Sequence, residues 1–255
     1  MGRDWRFGPG VKRVAVAGGA MLYDASRASN FGEPWFDPQW WRGRSAVEGS
    51  ATGRGSTLFV RGDRQSYALR HYLRGGLIAR IARDRYWWVS EDRTRPFAEW
   101  ALTHHMHRAG LPVPAPVAAR YRRVGRTYSG DIITERLVGA RPLAMLLGLG
   151  ALSLPTWIAV GRCVGRFHAK GVCHADLNSH NVLLTDEGEA YLVDFDRGSL
   201  RPPGFWEDSN LVRLRRSLEK VTDHLPPERF TEADWHSLLD GYHDARRPVP
   251  GIPAR

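Results

Sequence analysis

The feature that most constrains this chain is the segment 174–196, in which polar residues stand at both ends of a short hairpin. Two apolar runs, 182–185 and 190–193, flank the turn 186–188, Asp-Glu-Gly. Apolar runs separated by such a turn predict a β-hairpin. Because a hairpin returns the chain to its starting point, it is expected to bring three polar residues together: Asp176, Asn181 and Asp194.

These three side chains carry hard oxygen donors of the kind that suit one or two Mg²⁺ ions holding a nucleoside triphosphate. Their order matches a phosphoryl-transfer pattern, His-x-Asp-Leu-x-x-x-Asn from His174 followed by Asp-Phe at Asp194. In that pattern Asp176 orients or deprotonates the acceptor hydroxyl, whereas Asn181 and Asp194 bind metal. A solvated surface hairpin explains the acidic turn but explains the residues around Asp176 poorly. The sequence therefore predicts a kinase that uses ATP and Mg²⁺.

A glycine-rich segment, 49–56, precedes a second predicted hairpin formed by the runs 57–60 and 67–70. Glycines let the backbone approach phosphates closely and present amide groups to them. By itself such a loop is a weak signal, but its position ahead of a hairpin and well before the catalytic motif gives it value. We expect Gly53 and Gly55 to cover the phosphates of the nucleotide.

Four further residues are predicted to contact the nucleotide or to position its contacts. Arg70 ends the predicted third strand, where a protein kinase has a lysine, and its planar fork does not automatically fit a lysine-shaped space. Its expected carboxylate partner is Glu99, in the helical run 95–106. The predicted hinge beside the adenine lies at Glu135 and Leu137.

The order of these motifs predicts an α+β fold of the protein-kinase type with two lobes. The N-terminal lobe, 1–137, is expected to be small and rich in antiparallel strands. The C-terminal lobe, 138–255, is expected to be mainly helical and to carry the catalytic and metal-binding loops. A chain of 255 residues is long enough for such a core.

Two apolar regions have competing interpretations. The uncharged stretch 142–161 reaches the length needed to cross a bilayer, but glycines, Ser153 and Pro155 interrupt it, which favours two buried helices joined by a loop. An aromatic cluster is expected to pack on the first lobe, with insertion into a membrane interface as the alternative. Its members are Trp35, Phe36, Trp40 and Trp41.

Charge and cysteine content bear on partners and compartment. The net charge of +10 comes almost entirely from arginine and favours anionic partners, namely a phosphorylated substrate, a membrane surface or nucleic acid. The insertion 74–88 combines arginines with tryptophans, which fits both a solvated helix and a contact with substrate or anionic lipid. Cys163 and Cys173 are interpreted as buried packing residues in a reducing cytoplasm. The N-terminus does not have the pattern of a signal peptide.

Beyond about residue 20, the chain resembles the 3-deoxy-D-manno-octulosonic acid (Kdo) kinases of Gram-negative bacteria, relatives of the heptose kinases. Four segments carry the resemblance: 69–77, 110–114, 174–181 and 194–196. The resemblance implies transfer of the ATP γ-phosphate to the 4-hydroxyl of a Kdo residue on lipid A. It further implies a peripheral location on the cytoplasmic side of the inner membrane, where an arginine-rich protein meets an anionic surface. Nucleic acid is not expected as a partner under this interpretation.

Two other interpretations remain open at the level of sequence. One is a different kinase, acting on a heptose, another small molecule such as an aminoglycoside, or a protein. The other is a non-catalytic, basic pseudokinase that binds membrane or nucleic acid, an alternative prompted by Arg70 and the high pI. The sequence does not determine the oligomeric state.

Overall fold

The computed structural model describes three stretches of the chain: 10–51, 57–73 and 84–247. Gly53, Gly55 and the part of the arginine-rich insertion from 74 to 83 lie outside the described residues. The chain forms two compact units. The first comprises the residues up to His107 together with Pro114–Arg136, and the second comprises Arg108–Val113 together with the residues from Leu137 onward.

The first unit is built on an antiparallel sheet. Its elements are β1 (Val11–Val16), β2 (Gly19–Asp24), α1 (Pro38–Arg42), β3 (Val47–Ala51), β4 (Thr57–Arg61), β5 (Ser66–His71), β6 (Tyr86–Trp87), α2 (Arg95–Arg108), β7 (Pro116–Val124) and β8 (Thr127–Glu135). The strand order is β1-β2-β7-β8-β5-β4-β3, with β6 paired to β8. The predicted hairpin of β4 and β5 and the predicted helix α2 are confirmed.

Consecutive strand residues point to opposite sides of a sheet, and in this sheet both sides carry buried apolar residues. On β8, Ile132 packs in a cluster with Phe97 and Trp100 of α2. Its neighbour Ile133 packs in a second cluster with Phe36 and Trp41. The helix α2 therefore covers one face of the sheet, and the aromatic segment around α1 covers the other.

The aromatic cluster packs on the first unit, as predicted, rather than standing free as a platform. Phe36 and Trp41 are buried, and the indole of Trp41 donates a hydrogen bond of 2.7 Å to the carbonyl of Trp35. Trp35 contacts Tyr67 of β5 at a ring-centroid distance of 5.3 Å. These contacts fix the segment against the sheet.

The glycine-rich segment is partly a strand, which corrects the prediction of a loop from residue 49. Gly49, Ser50 and Ala51 belong to β3 and pair with β4. The antiparallel partner gives their backbone groups hydrogen bonds that a loop would leave to water.

The second unit is mainly helical. Its elements are β9 (Arg141–Pro142), α3 (Leu143–Leu149), α4 (Leu154–Ala169), β10 (Val172–Cys173), β11 (Val182–Leu184), β12 (Ala190–Leu192), β13 (Ser199–Leu200), α5 (Trp206–Thr222) and α6 (Glu232–Asp244). The uncharged stretch 142–161 forms α3, a short loop and the start of α4, as predicted. In the part of the chain that the structure describes, no helix has the length and apolar character needed to cross a membrane.

Helices α4 and α6 approach each other at glycines. A Cβ atom on Gly161 would lie 1.8 Å from the carbonyl oxygen of Leu238, and one on Gly241 would lie 2.2 Å from that of Ile158. Only glycine permits this separation, so the backbones of the two helices are in direct contact. Cys163 is buried in α4, and burial raises the pKa of its thiol to about 12, which fits the predicted packing role.

The connector after α2 departs from the predicted lobe of residues 1–137. Arg108–Val113 groups with the second unit. The carbonyl of Pro112 accepts a hydrogen bond of 3.0 Å from the amide of Leu192, and the carbonyl of Gly110 accepts one of 2.6 Å from Arg166. These bonds attach the connector to β12 and α4.

Candidate active site

The predicted hairpin at the centre of the site is present. Strands β11 and β12 pair in an antiparallel register, with Val182 opposite Leu192 and Leu184 opposite Ala190. Asn181 immediately precedes β11, and Asp194 lies two residues after β12. The hairpin thus brings the residues before its first strand close to those after its second.

Asn181 connects the two predicted acids. Its Nδ2 donates a hydrogen bond of 2.9 Å to the carbonyl of Asp176. Its own carbonyl accepts one of 3.0 Å from the amide of Val193, the neighbour of Asp194. The predicted convergence of Asp176, Asn181 and Asp194 is therefore present in the backbone geometry of the second unit.

His174 makes a second connection between the same two segments. Its Nδ1 accepts a hydrogen bond of 3.1 Å from the amide of Asp176, so the ring proton lies on Nε2, which donates to the carbonyl of Val193 at 2.9 Å. Burial lowers the pKa of His174 below its ordinary value. The neutral ring holds the loop by both nitrogens, which explains the histidine of the motif as a positioning residue.

The backbone at Asp194 has an unusual conformation. Its φ is +62°, in the left-handed region that residues other than glycine seldom adopt, although aspartate tolerates it better than most. Phe195 follows, is buried, and stacks on Phe167 of α4 with ring centroids 5.4 Å apart. The buried ring anchors the turn that carries Asp194.

Helix α5 runs alongside the catalytic loop and is hydrogen bonded to both of its ends. Asn210 Nδ2 donates to the carbonyl of His174 at 3.0 Å, and its Oδ1 accepts from the amide of the same residue at 3.3 Å. Two turns later, the hydroxyl of Ser217 accepts a hydrogen bond of 3.1 Å from the amide of Ser179. The helix is therefore held in a defined rotation about its axis.

Between these two attachments, Arg213 faces the predicted catalytic aspartate. Its Nη1 lies 3.6 Å from Oδ1 of Asp176, and each side chain is 54% exposed. An ion pair of this length and exposure contributes little to stability. The carboxylate of Asp176 is thus accessible, and its cationic neighbour can separate from it at little cost.

The donor set fits a magnesium ion held jointly by protein, nucleotide and water. Because Asn181 Nδ2 is bonded to Asp176, its Oδ1 remains as an oxygen donor, next to the segment that presents the Asp194 carboxylate. Among the described residues, no group of three or more His, Cys, Asp or Glu side chains could hold a metal by itself. Magnesium in kinase sites binds one or two protein oxygens and completes its shell with phosphates and water.

In the first unit, Arg70 and Glu99 form the predicted ion pair. Nη2 of Arg70 lies 2.5 Å from both carboxylate oxygens of Glu99. The hydroxyl of Tyr72 donates to the same carboxylate at 2.5 Å, and Glu99 is only 6% exposed. The pair joins β5 to α2 and directs a guanidinium to the end of β5, where the sequence pattern predicts phosphate contact.

The two predicted hinge residues differ in whether their backbone amide is available to donate a hydrogen bond to a ligand. The carboxylate of Glu135 pairs with Arg27 at 2.5 Å, and its amide donates to the carbonyl of Ala115 at 2.9 Å. The amide of Leu137 has no acceptor among the described residues. Of the two, Leu137 is the one with a backbone donor available to a nucleotide base.

Sequence reasoning missed several residues that shape the site: Tyr72, Asn210, Arg213 and Ser217. In the sequence, the run 210–218 has only the pattern of a basic helix. Its polar residues at 210 and 217 are spaced by two helical turns, a signal that one face contacts another polar segment. Nothing in the sequence identified that segment as the catalytic loop.

Comparison with known proteins identifies the family. Residues 38–242 match the model of the lipopolysaccharide kinase (Kdo/WaaP) family. A protein of Xylella fastidiosa named 3-deoxy-D-manno-octulosonic acid kinase is 45% identical over 204 residues, covering 80% of this chain and 81% of the relative. Proteins of the same name from Actinobacillus succinogenes and Haemophilus influenzae are 42% and 38% identical, covering 82% and 87% of this chain and 90% and 95% of theirs.

Among solved structures, the crystal structure of WbdD matches 80% of this chain and 46% of its own chain, with 17% sequence identity and a TM-score of 0.46.

The fold and the family together define an α+β enzyme with a protein-kinase-like fold. The chain belongs to the lipopolysaccharide kinase (Kdo/WaaP) family, which confirms the resemblance carried by its motifs. It is therefore a kinase, an enzyme that transfers a phosphoryl group to a hydroxyl acceptor.

Proposed function

We propose that this chain transfers the γ-phosphate of ATP to the 4-hydroxyl of a Kdo residue on lipid A, a step in the assembly of the lipopolysaccharide inner core. The observation that carries the proposal is the hydrogen-bonded set of Asp176, Asn181 and the segment leading into Asp194. The names of the relatives support Kdo as the acceptor.

In the proposed reaction, the acceptor oxygen forms a bond to the γ-phosphorus while the bond from that phosphorus to the β–γ bridging oxygen breaks and ADP leaves. Asp176 accepts the hydroxyl proton or orients the hydroxyl toward the phosphorus. His174 and Asn181 hold the loop, so the carboxylate is positioned before the substrate arrives.

Asn181 and Asp194 would hold Mg²⁺ together with the phosphates of ATP. When bound, the ion supplies positive charge that offsets the charge developing on the transferred group. Arg70, fixed by Glu99, would neutralise phosphate charge, and Gly53 and Gly55 would cover the phosphates.

For the nucleotide base, we propose backbone contact at Glu135 and Leu137. Leu137 has the stronger support, because its amide donor has no acceptor among the described residues. The amide of Glu135 donates to the carbonyl of Ala115 and its carboxylate pairs with Arg27, so we propose its carbonyl as the group that meets the base.

We further propose that the enzyme acts as a peripheral protein on the cytoplasmic side of the inner membrane. Trp87 and Val124 are exposed and both stand opposite Thr127, on the strands that flank β8. Residues opposite one another across a sheet share a face, so the two side chains form an apolar edge. Arginines surround this edge in the sequence, and basic residues beside exposed aromatics are typical of contact with anionic lipid.

Flotation with phosphatidylglycerol vesicles tests the membrane contact. Replacing Trp87 and Val124 with glutamine is expected to reduce vesicle binding several-fold, whereas Val138→Gln, a change at another exposed valine, is expected to leave it intact. Equal binding by the three proteins would refute a contact through this edge.

An acceptor competition tests the reaction. Purified protein, radiolabelled ATP and Mg²⁺ are incubated with equal amounts of Kdo-lipid A, an aminoglycoside and a peptide, and the labelled product is analysed by mass spectrometry and NMR. We expect label on Kdo-lipid A, at the 4-position. Label on either competitor, or at another hydroxyl, would refute the proposed acceptor.

A further inference from the structure

The hydrogen bonds between helix α5 and the catalytic loop place one face of the helix next to the reacting group. Asn210 contacts His174 and Ser217 contacts Ser179, so the two segments run side by side in the same direction. Arg213, midway between the attachments, reaches Asp176. Residues on the solvent side of Arg213 are therefore neighbours of the carboxylate that would meet the acceptor hydroxyl.

That side of the helix contains a recess of about 380 Å³. Six residues line it: Phe205, Asp208, Ser209, Val212, Arg213 and Arg216. Their spacing of three and four along the helix gives one continuous face. The recess combines two guanidinium groups, one carboxylate, one hydroxyl and two apolar side chains.

Several side chains of the recess are exposed or make only weak ion pairs. Phe205 is 91% exposed and Val212 is 55% exposed, although both are apolar. Arg216 has no carboxylate within ion-pair distance among the described residues, and the only such partner of Arg213 there is Asp176, at 3.6 Å. Exposed apolar side chains beside one unpaired and one weakly paired cation indicate a binding surface for an amphipathic anion.

We propose that this recess binds the acceptor sugar and that Arg213 and Arg216 recognise its carboxylate. The inference depends on the proposed function, because the acceptor named for the relatives is a sugar acid. Guanidinium groups bind carboxylates through paired, charge-assisted hydrogen bonds. Phe205 and Val212 cover the apolar face of the sugar, and Asp208 accepts hydrogen bonds from its hydroxyls.

Arg213 has a second role in this proposal. In the free protein it neutralises Asp176 through a long, exposed contact. When the acceptor binds, Arg213 pairs with the carboxylate of the sugar instead of with Asp176. Asp176 can then interact with the acceptor hydroxyl. Recognition of the sugar acid thereby releases Asp176 from its cationic neighbour.

The same surface is less suited to an anionic lipid headgroup. Asp208 lines the recess together with Phe205 and Val212 and would repel a headgroup phosphate. Sugar hydroxyls satisfy that carboxylate, which favours the sugar acid over the headgroup.

Titration calorimetry without ATP tests the recess separately from the reaction. The ligands are Kdo-lipid A in detergent micelles and the same glycolipid with its Kdo carboxyl converted to the methyl ester. The native protein is expected to prefer the acid by about 10- to 100-fold, the range for charge-assisted hydrogen bonds. Arg213→Ala and Arg216→Ala are each expected to lose most of that preference.

Lys220→Ala is the matched control, because it removes one exposed positive charge from the same helix, two turns beyond Arg213 and outside the recess. It is expected to keep the preference. Equal preference in all four proteins, or equal affinity of the native protein for acid and ester, would overturn the proposal. Reduced binding of acid and ester alike in the arginine variants would also overturn it, since that pattern indicates headgroup binding. If the protein shows the predicted binding preference but transfers no phosphate in the acceptor competition, the proposed function is refuted and the proposal for the recess is retained.

Discussion

The two units of this protein each contain an arginine–carboxylate pair at a predicted functional position, and the pairs differ in length and in exposure. In the first unit, Arg70 and Glu99 are 2.5 Å apart, and Glu99 is buried and also bonded to Tyr72. In the second unit, Arg213 and Asp176 are 3.6 Å apart and half exposed. The first pair is fixed, whereas the second is exchangeable.

The difference between the two pairs suits the role that is proposed for each. A buried carboxylate must keep its partners, because breaking such a pair leaves an uncompensated charge in a medium of low dielectric constant. An exposed pair is screened by water and separates at little cost. A residue that positions phosphates benefits from the first arrangement, and a residue that meets an incoming hydroxyl needs the second.

The largest effect is expected from breaking the buried pair. Glu99→Ala leaves Arg70 and the Tyr72 hydroxyl without their shared acceptor and should lower the free energy of unfolding by about 3–5 kcal/mol. Asp176→Ala breaks the exposed pair and should change it by less than about 1 kcal/mol. Urea denaturation of the two variants measures both values, and equal losses would contradict the distinction.

A smaller loss is expected from detaching α5 from the catalytic loop. Asn210→Ala leaves the buried amide and carbonyl of His174 without partners, which should cost about 1–3 kcal/mol in unfolding free energy. Transfer activity should fall as well, since the loop loses its support. Asn210→Asp, which restores an acceptor for the amide only, should recover part of the stability; no recovery would argue against the hydrogen bonds as the cause.

Exchanging arginine for lysine sharpens the comparison further. Arg70→Lys keeps the charge but shortens the reach to Glu99, and we expect a loss of about 1 kcal/mol in unfolding free energy. Arg213→Lys should have no measurable effect on stability, because its contact is long and exposed. Thermal or urea unfolding of both variants side by side distinguishes the two pairs without removing a charge.

The smallest effect concerns pH. His71, next to Arg70 on β5, bonds to Asp131 at 2.7 Å, and this bond raises the pKa of His71 above its ordinary value. The raised pKa stabilises the fold below the unfolded-state pKa of about 6.5. That contribution is lost as the pH rises through the folded-state pKa. Urea unfolding between pH 5.5 and 8.5 should show a steeper decline in the native protein than in His71→Gln; parallel curves would exclude this contribution.

The sequence predicted the features that depend on local chain order. The hairpin that joins Asn181 to Asp194 follows from two apolar runs and a turn, and the Arg70–Glu99 pair follows from the order of motifs. The contact of Arg213 with Asp176 was not predictable in the same way. It depends on the rotation of α5, which is set by hydrogen bonds between residues 36 and 38 positions apart. The attachment of 108–113 to the second unit has the same origin in distant backbone contacts.

The most direct test of the proposed phosphotransfer site is single-turnover transfer of radiolabelled phosphate from ATP to Kdo-lipid A by the native protein and by Asp176→Asn. Near-UV circular dichroism and urea denaturation establish that the variant is folded. We expect the rate to fall by about 10²- to 10⁴-fold, the contribution of a general base, with native-like stability. Transfer at the native rate by the folded variant would contradict the role proposed for Asp176.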